Sequence, residues 1–119
     1  MAKKILVVDD EADFLRTVRL RLEAHQYHVV TASDGEEGLQ KVESERPDLI
    51  VLDIRMPKMD GLTFVKQLKK NQAGRPIPVM ILTAYGEMED LFRVEGVSDY
   101  LLKPFKAEEL IERIEKHLK

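Results

Sequence analysis

The chain alternates short apolar runs with longer segments in which apolar residues recur at spacings of three and four. Unbroken apolar runs containing valine and isoleucine are typical of parallel strands that are buried on both faces. Five strands are therefore predicted. They cover Ile5–Val8, Tyr27–Ala32, Leu49–Leu52, Val79–Leu82 and Asp99–Leu102.

Between and after these strands, apolar residues at helical period predict five amphipathic helices. Helices that alternate with strands favour right-handed βαβ units and a parallel sheet, hence an α/β fold. No linker or repeat interrupts the pattern, so residues 1–119 are predicted to form a single domain. The periodic positions are Phe14, Leu15, Val18 and Leu22, then Leu39 and Val42, then Leu62, Val65 and Leu68, then Met88, Leu91, Phe92 and Val94, and last Leu110, Ile111, Ile114 and Leu118.

Several residues indicate how these helices begin, pack and end. Ser33 or Asp34 is placed to cap the second helix. Gly38, inside that helix, costs roughly 1 kcal/mol relative to alanine, which predicts either close packing or local weakness there. His25 and His117 fall near helix ends, where a contact between a cation and the helix dipole is the ordinary explanation.

Composition narrows the class of protein. A chain of 119 residues with 44% hydrophobic residues can bury a real core. Charged residues make up 34% but the net charge is only -3, which argues against direct binding of nucleic acid. Cysteine is absent, which excludes disulfides and thiolate chemistry. With no apolar stretch of membrane-spanning length and no signal peptide, the prediction is a soluble cytoplasmic domain without a membrane partner.

Polar side chains follow four of the five predicted strands. Asp9 and Asp10 come after the first strand, Asp53 after the third, Thr83 after the fourth and Lys103 after the fifth. Because the carboxyl ends of parallel strands share one edge of the sheet, these side chains are expected to converge. Neighbouring carboxylates repel one another unless a cation joins them, and oxygen ligands favour magnesium.

This group of residues suits phosphoryl transfer. An aspartate can act as a nucleophile and form an aspartyl phosphate, and a lysine and a metal can neutralise the phosphoryl charge. Lys103 is placed to pair with Asp53 or with a phosphoryl oxygen, and Thr83 adds a hydroxyl. Taken singly, each residue has a structural explanation as a helix cap or a strand end. Their joint placement favours a functional site.

The same segments resemble the receiver domain of two-component response regulators, the CheY-like family. The matching segments are Ile5–Glu11, Asp48–Gly61, Met80–Ala84 and Asp99–Phe105, and the resemblance covers essentially the whole chain. It implies a flavodoxin-like, doubly wound parallel sheet in the strand order 2-1-3-4-5 with five helices. The apolar pattern alone leaves that strand order open.

The resemblance also implies roles for the acidic residues. Asp53 corresponds to the phosphoacceptor, which takes a phosphoryl group from a histidine kinase or a histidine phosphotransferase. Asp10 and Asp53 correspond to direct magnesium ligands, together with the backbone carbonyl of Arg55. Asp9 is expected to act nearby through a water molecule. The chain is then an autocatalytic phosphoacceptor and not a turnover enzyme.

The remaining motif residues correspond to the switch. Lys103 is expected to bind the phosphoryl group, and Thr83 to move toward it after transfer. Tyr100 corresponds to the aromatic position whose inward rotation remodels the surface of the fourth helix, fifth strand and fifth helix for a downstream protein target. Homodimerisation on phosphorylation is a further possibility. The peptide bond before Pro104 is expected to be cis, which only proline tolerates easily.

Two features depart from the family pattern. The chain between Thr83 and Lys103 is slightly short, and Arg93–Val97 replaces the usual alanine-rich end of the fourth helix. We therefore expect a short or loosely packed fourth helix. Arg55 and Tyr85 occupy the two positions that influence attack by water in this family. Both side chains are large, which predicts a persistent phosphoryl group.

Other classes of protein fit less well. A magnesium-dependent phosphatase with an aspartate nucleophile would need Asp-x-Asp after the first strand and a cap domain, whereas the chain has Asp9-Asp10-Glu11. A flavin or nucleotide module would need a glycine-rich loop there, and this loop is acidic.

Because the chain starts at Met1 and stops after the fifth helix, a stand-alone regulator is favoured. The alternative is an N-terminal receiver from a longer transcriptional regulator.

Overall fold

The computed structural model describes residues 2–53, 61–74, 76–83 and 97–118. These residues form five strands and four helices, and none of the four helices is long and apolar enough to cross a membrane. The strands are β1 (Lys4–Val8), β2 (His28–Ala32), β3 (Leu49–Asp53), β4 (Val79–Thr83) and β5 (Asp99–Leu102). The helices are α1 (Ala12–Ala24), α2 (Gly35–Glu45), α3 (Gly61–Lys70) and α4 (Ala107–Leu118), so α4 is the helix that the sequence predicts as the fifth.

The strands form one parallel sheet in the order β2-β1-β3-β4-β5. This is the flavodoxin-like order, so the predicted doubly wound α/β fold is confirmed. The fourth predicted helix, within 86–95, lies outside the described residues, and the expectation that it is short or loosely packed stays a prediction.

Helices cover both faces of the sheet, as the side chains of β1 illustrate. Leu6 and Val8 belong to one buried cluster, whereas Ile5 and Val7 belong to another, because successive strand residues point to opposite faces. The first cluster contains Val42 of α2 with Phe64, Val65 and Leu68 of α3, and the second contains Val18 and Leu22 of α1 with Leu110, Ile111 and Ile114 of α4.

The two central strands are sealed from solvent. Every residue of β3 and β4 is buried, in agreement with their continuous apolar sequences. β5, at one edge of the sheet, is more open, and Leu101 is its one fully buried residue. Polar chemistry at the centre of the sheet is therefore possible only where the strands end.

Asp34 caps α2. Its Oδ1 accepts a hydrogen bond of 2.9 Å from the backbone N–H of Glu37, and the Glu37 carboxylate accepts one of 2.7 Å from the N–H of Ser33. These reciprocal bonds satisfy backbone donors at the helix start that would otherwise have no partner. Of the two capping candidates, Asp34 is therefore the one used.

Gly38 lies where α2 approaches α3 and the sheet. A Cβ atom at this position would come within 2.9 Å of Cε2 of Phe64 and 3.2 Å of Cγ2 of Val8. Both neighbours are fully buried, so neither can move away cheaply. Of the two explanations that the sequence allows for this glycine, close packing is the correct one.

We expect Gly38→Ala to lower the free energy of unfolding by about 1 kcal/mol, because overpacking outweighs the gain in helix propensity. Urea unfolding measures this change. Gln40→Ala, at an exposed position of the same helix, is the matched control and should leave stability nearly unchanged. A Gly38→Ala protein more stable than the wild type would show that the core around Phe64 adapts freely.

Candidate functional site

The register of β1 and β3 brings two aspartates side by side. Val8 pairs with Leu52, and the next residues along the two strands are Asp9 and Asp53. Both strands run in the same direction, so both aspartates emerge at the carboxyl edge of the sheet. Asp10 follows directly and is exposed at this edge.

The register of β4 and β5 extends the site in the other direction. Leu82 pairs with Asp53, so Thr83 stands one residue further toward the carboxyl edge. Thr83 in turn pairs with Leu102, and Lys103 follows that residue. The sequence prediction that these strand ends converge is therefore confirmed in the fold.

Three carboxylates form a compact group at the edge. One oxygen from each of Asp9, Asp10 and Asp53 lies within 4.8 Å of the others. Asp9 is only 2% exposed and Asp53 only 5%, whereas Asp10 faces solvent. The group therefore combines two sheltered carboxylates with one at the opening.

Backbone hydrogen bonds hold Asp9 in place. Its N–H donates to the carbonyl of Ala32 at 3.0 Å, and its Oδ1 accepts from the N–H of Glu11 at 2.9 Å. The first bond continues the pairing of β1 with β2, and the second closes the turn into α1. The orientation of this carboxylate is thus set before any ligand binds.

Lys103 brings a positive charge to the group. Its Nζ lies 3.1 Å from Oδ1 of Asp53. The backbone N–H of Lys103 donates to the carbonyl of Thr83 at 2.7 Å, which fixes the start of the segment after β5. The peptide bond between Lys103 and Pro104 is cis, the isomer that the resemblance implies.

The pKa of Asp9 shows the electrostatic cost of this arrangement. The pKa is raised from 3.8 to about 6, chiefly by burial. The hydrogen bond from the Glu11 amide and the charge of Lys103 oppose this rise, whereas the negative charges of Asp53 and Asp10 add to it. The fold thus holds a carboxylate that gains from a proton or a nearby cation.

The donor set fits a hard divalent cation. The nearby side chains offer carboxylate oxygens, and Mg²⁺ typically takes one or two carboxylates and keeps several waters. The exposed Asp10 leaves the group open to water, while Lys103 already pairs with one oxygen of Asp53. A cation and the lysine would therefore compete for the charge of Asp53.

The two residues assigned to the switch lie on neighbouring strands. Thr83, at the end of β4, is fully buried, and Tyr100, in β5, is half-buried against the cluster that α2 and α3 line. Arg55 and Tyr85, the residues assigned to phosphoryl lifetime, lie outside the described residues.

Sequence reasoning missed a charged cluster between β5 and α4. Asp99 accepts bonds from Nη1 of Arg113 at 3.0 Å and from the His117 ring at 2.9 Å. Burial raises the pKa of Asp99, but bonds from His117 and the Tyr100 amide and the charge of Arg113 hold it below its usual value. The i, i+4 spacing of Arg113 and His117 is the signal in the sequence, since it puts both on one helix face.

Both histidines that the sequence assigns to helix-dipole contacts pair with carboxylates from other elements. His117 contacts Asp99, and Nδ1 of His25 lies 3.5 Å from Oε1 of Glu115. The dipole explanation is therefore incomplete, because the partners come from tertiary packing.

The pKa of Asp9 predicts a pH-dependent stability. The folded state binds this proton more tightly than the unfolded chain does, so the stabilisation is full below pH 3.8 and is lost as the pH rises through about 6. We expect Asp9→Asn, without divalent ions, to be more stable than the wild type at neutral pH by on the order of 2 kcal/mol, with the difference vanishing near pH 4.

Urea unfolding of both proteins across this pH range, in the presence of a chelator, measures the difference. Asparagine keeps an oxygen that accepts the hydrogen bond from the Glu11 amide, so the comparison isolates the charge. A difference independent of pH would mean that Asp9 ionises in the fold at no cost.

Known proteins are similar to this chain in sequence. The chain is 47% identical over 116 residues to the alkaline phosphatase synthesis transcriptional regulatory protein PhoP of Bacillus subtilis, an alignment that covers 96% of this chain and 48% of PhoP. The chain thus spans about half the length of the curated relatives that it matches.

Solved structures share this fold. The chemotaxis response regulator CheY4 of Vibrio cholerae superposes with a TM-score of 0.91 at 32% identity, covering 98% of this chain and 99% of that one.

The receiver domain of a sensor histidine kinase from Pseudomonas aeruginosa PAO1, with a magnesium ion in its active-site cleft, gives a TM-score of 0.89 at 29% identity, covering 99% of this chain and 98% of that one. The profile of the response regulator receiver domain matches residues 5–115. The chain therefore belongs to the receiver domain family of response regulators.

Proposed function

We propose that this receiver accepts a phosphoryl group on Asp53 from a histidine kinase or a histidine phosphotransferase, in a magnesium-dependent reaction. One observation carries the proposal. The sheltered carboxylate of Asp53 lies 3.1 Å from Nζ of Lys103 and shares a group of oxygens within 4.8 Å with Asp9 and Asp10. A nucleophile, a cation-binding group and a fixed positive charge thus meet at one point.

The transfer step uses Asp53 as the nucleophile. One carboxylate oxygen forms a bond to phosphorus while the P–N bond of the phosphohistidine breaks, and the electron pair of that bond returns to the imidazole nitrogen. Lys103 already lies beside the attacking group, where it can bind an oxygen of the phosphoryl group. Positioning and charge stabilisation supply most of the catalysis in such transfers.

Magnesium is the proposed cofactor. Asp10 and Asp53 would hold it directly with the backbone carbonyl of Arg55, and Asp9 would act through water. When bound, the ion neutralises charge on the phosphoryl oxygens. The compact group of carboxylates, the raised pKa of Asp9 and the magnesium in the Pseudomonas relative support this assignment.

The output is proposed to be a change of surface. Thr83 would move toward the phosphorylated Asp53, Tyr100 would rotate inward, and the surface that includes β5 and α4 would change for a protein partner. The position of Tyr100 supports this, because its carbonyl accepts a bond of 3.2 Å from Nη1 of Arg113 in α4. Homodimerisation on phosphorylation remains part of the same proposal.

Two kinds of whole protein are compatible with this domain. CheY4 matches over 99% of its own length, as a stand-alone regulator would, whereas PhoP matches over 48%. The higher identity to PhoP, 47% against 32%, supports the receiver of a longer transcriptional regulator. DNA contacts would then belong to the other part of that protein.

We expect wild-type protein to gain one phosphoryl group from phosphoramidate when magnesium is present, and Asp53→Asn to gain none, because the amide is not nucleophilic. Intact mass spectrometry measures both. Asp13→Asn, which changes an exposed carboxylate of α1, is the control and should be labelled like the wild type. Labelling of Asp53→Asn would identify a different acceptor, and continuous release of phosphate would favour the phosphatase alternative.

The lifetime of the phosphoryl group gives a second test. If Arg55 and Tyr85 shield the aspartyl phosphate from water, the double variant Arg55→Ala with Tyr85→Ala loses the label faster than the wild type. Decay of the phosphorylated mass after removal of the donor measures the half-life. An unchanged half-life would show that neither side chain protects the group.

A further inference from the structure

Two aromatic rings meet beside the site. The rings of Phe14 and Phe105 have centroids 6.3 Å apart and planes at 83°, an edge-to-face contact of the favourable kind. Both are partly buried against the apolar cluster that lies between the sheet, α1 and α4. The contact is therefore part of a packed layer.

The pair joins segments that the sheet does not connect. Phe14 lies in the first turn of α1, four residues after Asp10, and Phe105 comes two residues after Lys103. β1 and β5 are separated in the sheet by β3 and β4, so ladder hydrogen bonds do not link these two strand ends. The ring contact therefore joins the segments that follow these two strands.

The segment that carries Lys103 has an anchor on each side. At the start of this segment the Lys103 amide donates to the Thr83 carbonyl at 2.7 Å. At its end the amide of Glu109 donates to the carbonyl of Lys106 at 3.0 Å. Phe105 lies between these anchors and supplies a side-chain contact with α1. The lysine side chain is long and 39% exposed, so its direction depends on how firmly this backbone is held.

We propose that Phe14 is a positioning residue for phosphoryl transfer: its ring supports Phe105 and thereby keeps Lys103 directed at Asp53. The inference rests on the proposed function of Asp53. It adds to the site an apolar residue that does not belong to the group of charged and hydroxyl side chains at the strand ends. Phe14 packs against the apolar cluster and Phe105 and has no polar group to offer a phosphoryl group or a metal. Its effect passes through Phe105 and the backbone of Lys103.

This role has a distinctive signature. In the metal-free protein Lys103 neutralises Asp53, so a cation that binds the carboxylates competes with that ion pair. A less well held Lys103 leaves magnesium binding unchanged or tighter, while transfer, which needs the lysine in place, becomes slower. General loosening of the fold would instead weaken magnesium binding together with transfer.

The experiment compares Phe14→Ala, Lys103→Ala and the double variant in the full chain. Calorimetry gives the magnesium dissociation constant, and intact mass against time gives the rate of labelling by phosphoramidate at saturating magnesium. We expect Phe14→Ala to lower that rate about tenfold, as a small misplacement of a catalytic group does. The magnesium dissociation constant should stay the same or fall.

The double variant provides the decisive comparison. If Phe14 acts through Lys103, adding Phe14→Ala to Lys103→Ala slows labelling no further. Phe14→Tyr, which keeps the ring, should restore most of the rate lost in Phe14→Ala. Tyr27→Ala removes another partly buried ring of the same apolar cluster, just before β2, and should lower stability without this change in rate.

Three results would overturn the inference. These are a wild-type rate in Phe14→Ala, an equal further loss in the Lys103→Ala background, or a loss of magnesium affinity in step with the rate. The proposed function fails separately, when the wild type itself is not labelled on Asp53. In that event the magnesium constants of Phe14→Ala and Lys103→Ala still show whether the ring pair holds the lysine against Asp53.

Discussion

The parallel pairing of β1 with β3 is the constraint on which the site depends. Four consecutive pairs, ending at Val8 with Leu52, set Asp9 beside Asp53. Both strands are packed on both faces by the two apolar clusters. A slip of one residue would exchange the side chains of the two faces, so packing fixes the register. Hydrophobic burial thus determines how close the two carboxylates lie, although the apolar side chains themselves take no part in the chemistry of the site.

Charge at this edge is balanced in three different ways. Lys103 pairs with Asp53, the Glu11 amide supports Asp9, and solvent reaches Asp10. A buried carboxylate without such a partner would be costly. The raised pKa of Asp9 shows that the balance is incomplete. Under the proposed function the remaining charge is what attracts magnesium, and the Lys103 pair limits how tightly the ion binds.

The sequence was sufficient for the parts of the structure that local pattern determines. The apolar run of β3 follows from residue type and spacing. For the cap of α2 and for Gly38 the sequence narrowed the answer to two alternatives, and the contacts of Asp34 and of Gly38 in the fold decided between them. The strand order did not follow from the pattern, because β3 and β4 are equally apolar and equally buried, and only the resemblance supplied it. The partners of His25 and His117 were also missed, since these contacts join segments that only the fold brings together.

β5 connects the carboxyl edge of the sheet, where Lys103 lies, to the surface contacts between Asp99 and α4. It lies at the edge, pairs with β4 alone and has one fully buried residue, so moving it would disrupt fewer buried contacts than moving β3. Lys103 follows it at the site, while Asp99 at its other end is bound by Arg113 and His117 of α4. A change in the contacts of Lys103 would therefore act on the strand that α4 contacts. Under the proposed function, the partly exposed strand β5 would transmit the signal, and the fully buried strand β3 would keep Asp53 in place.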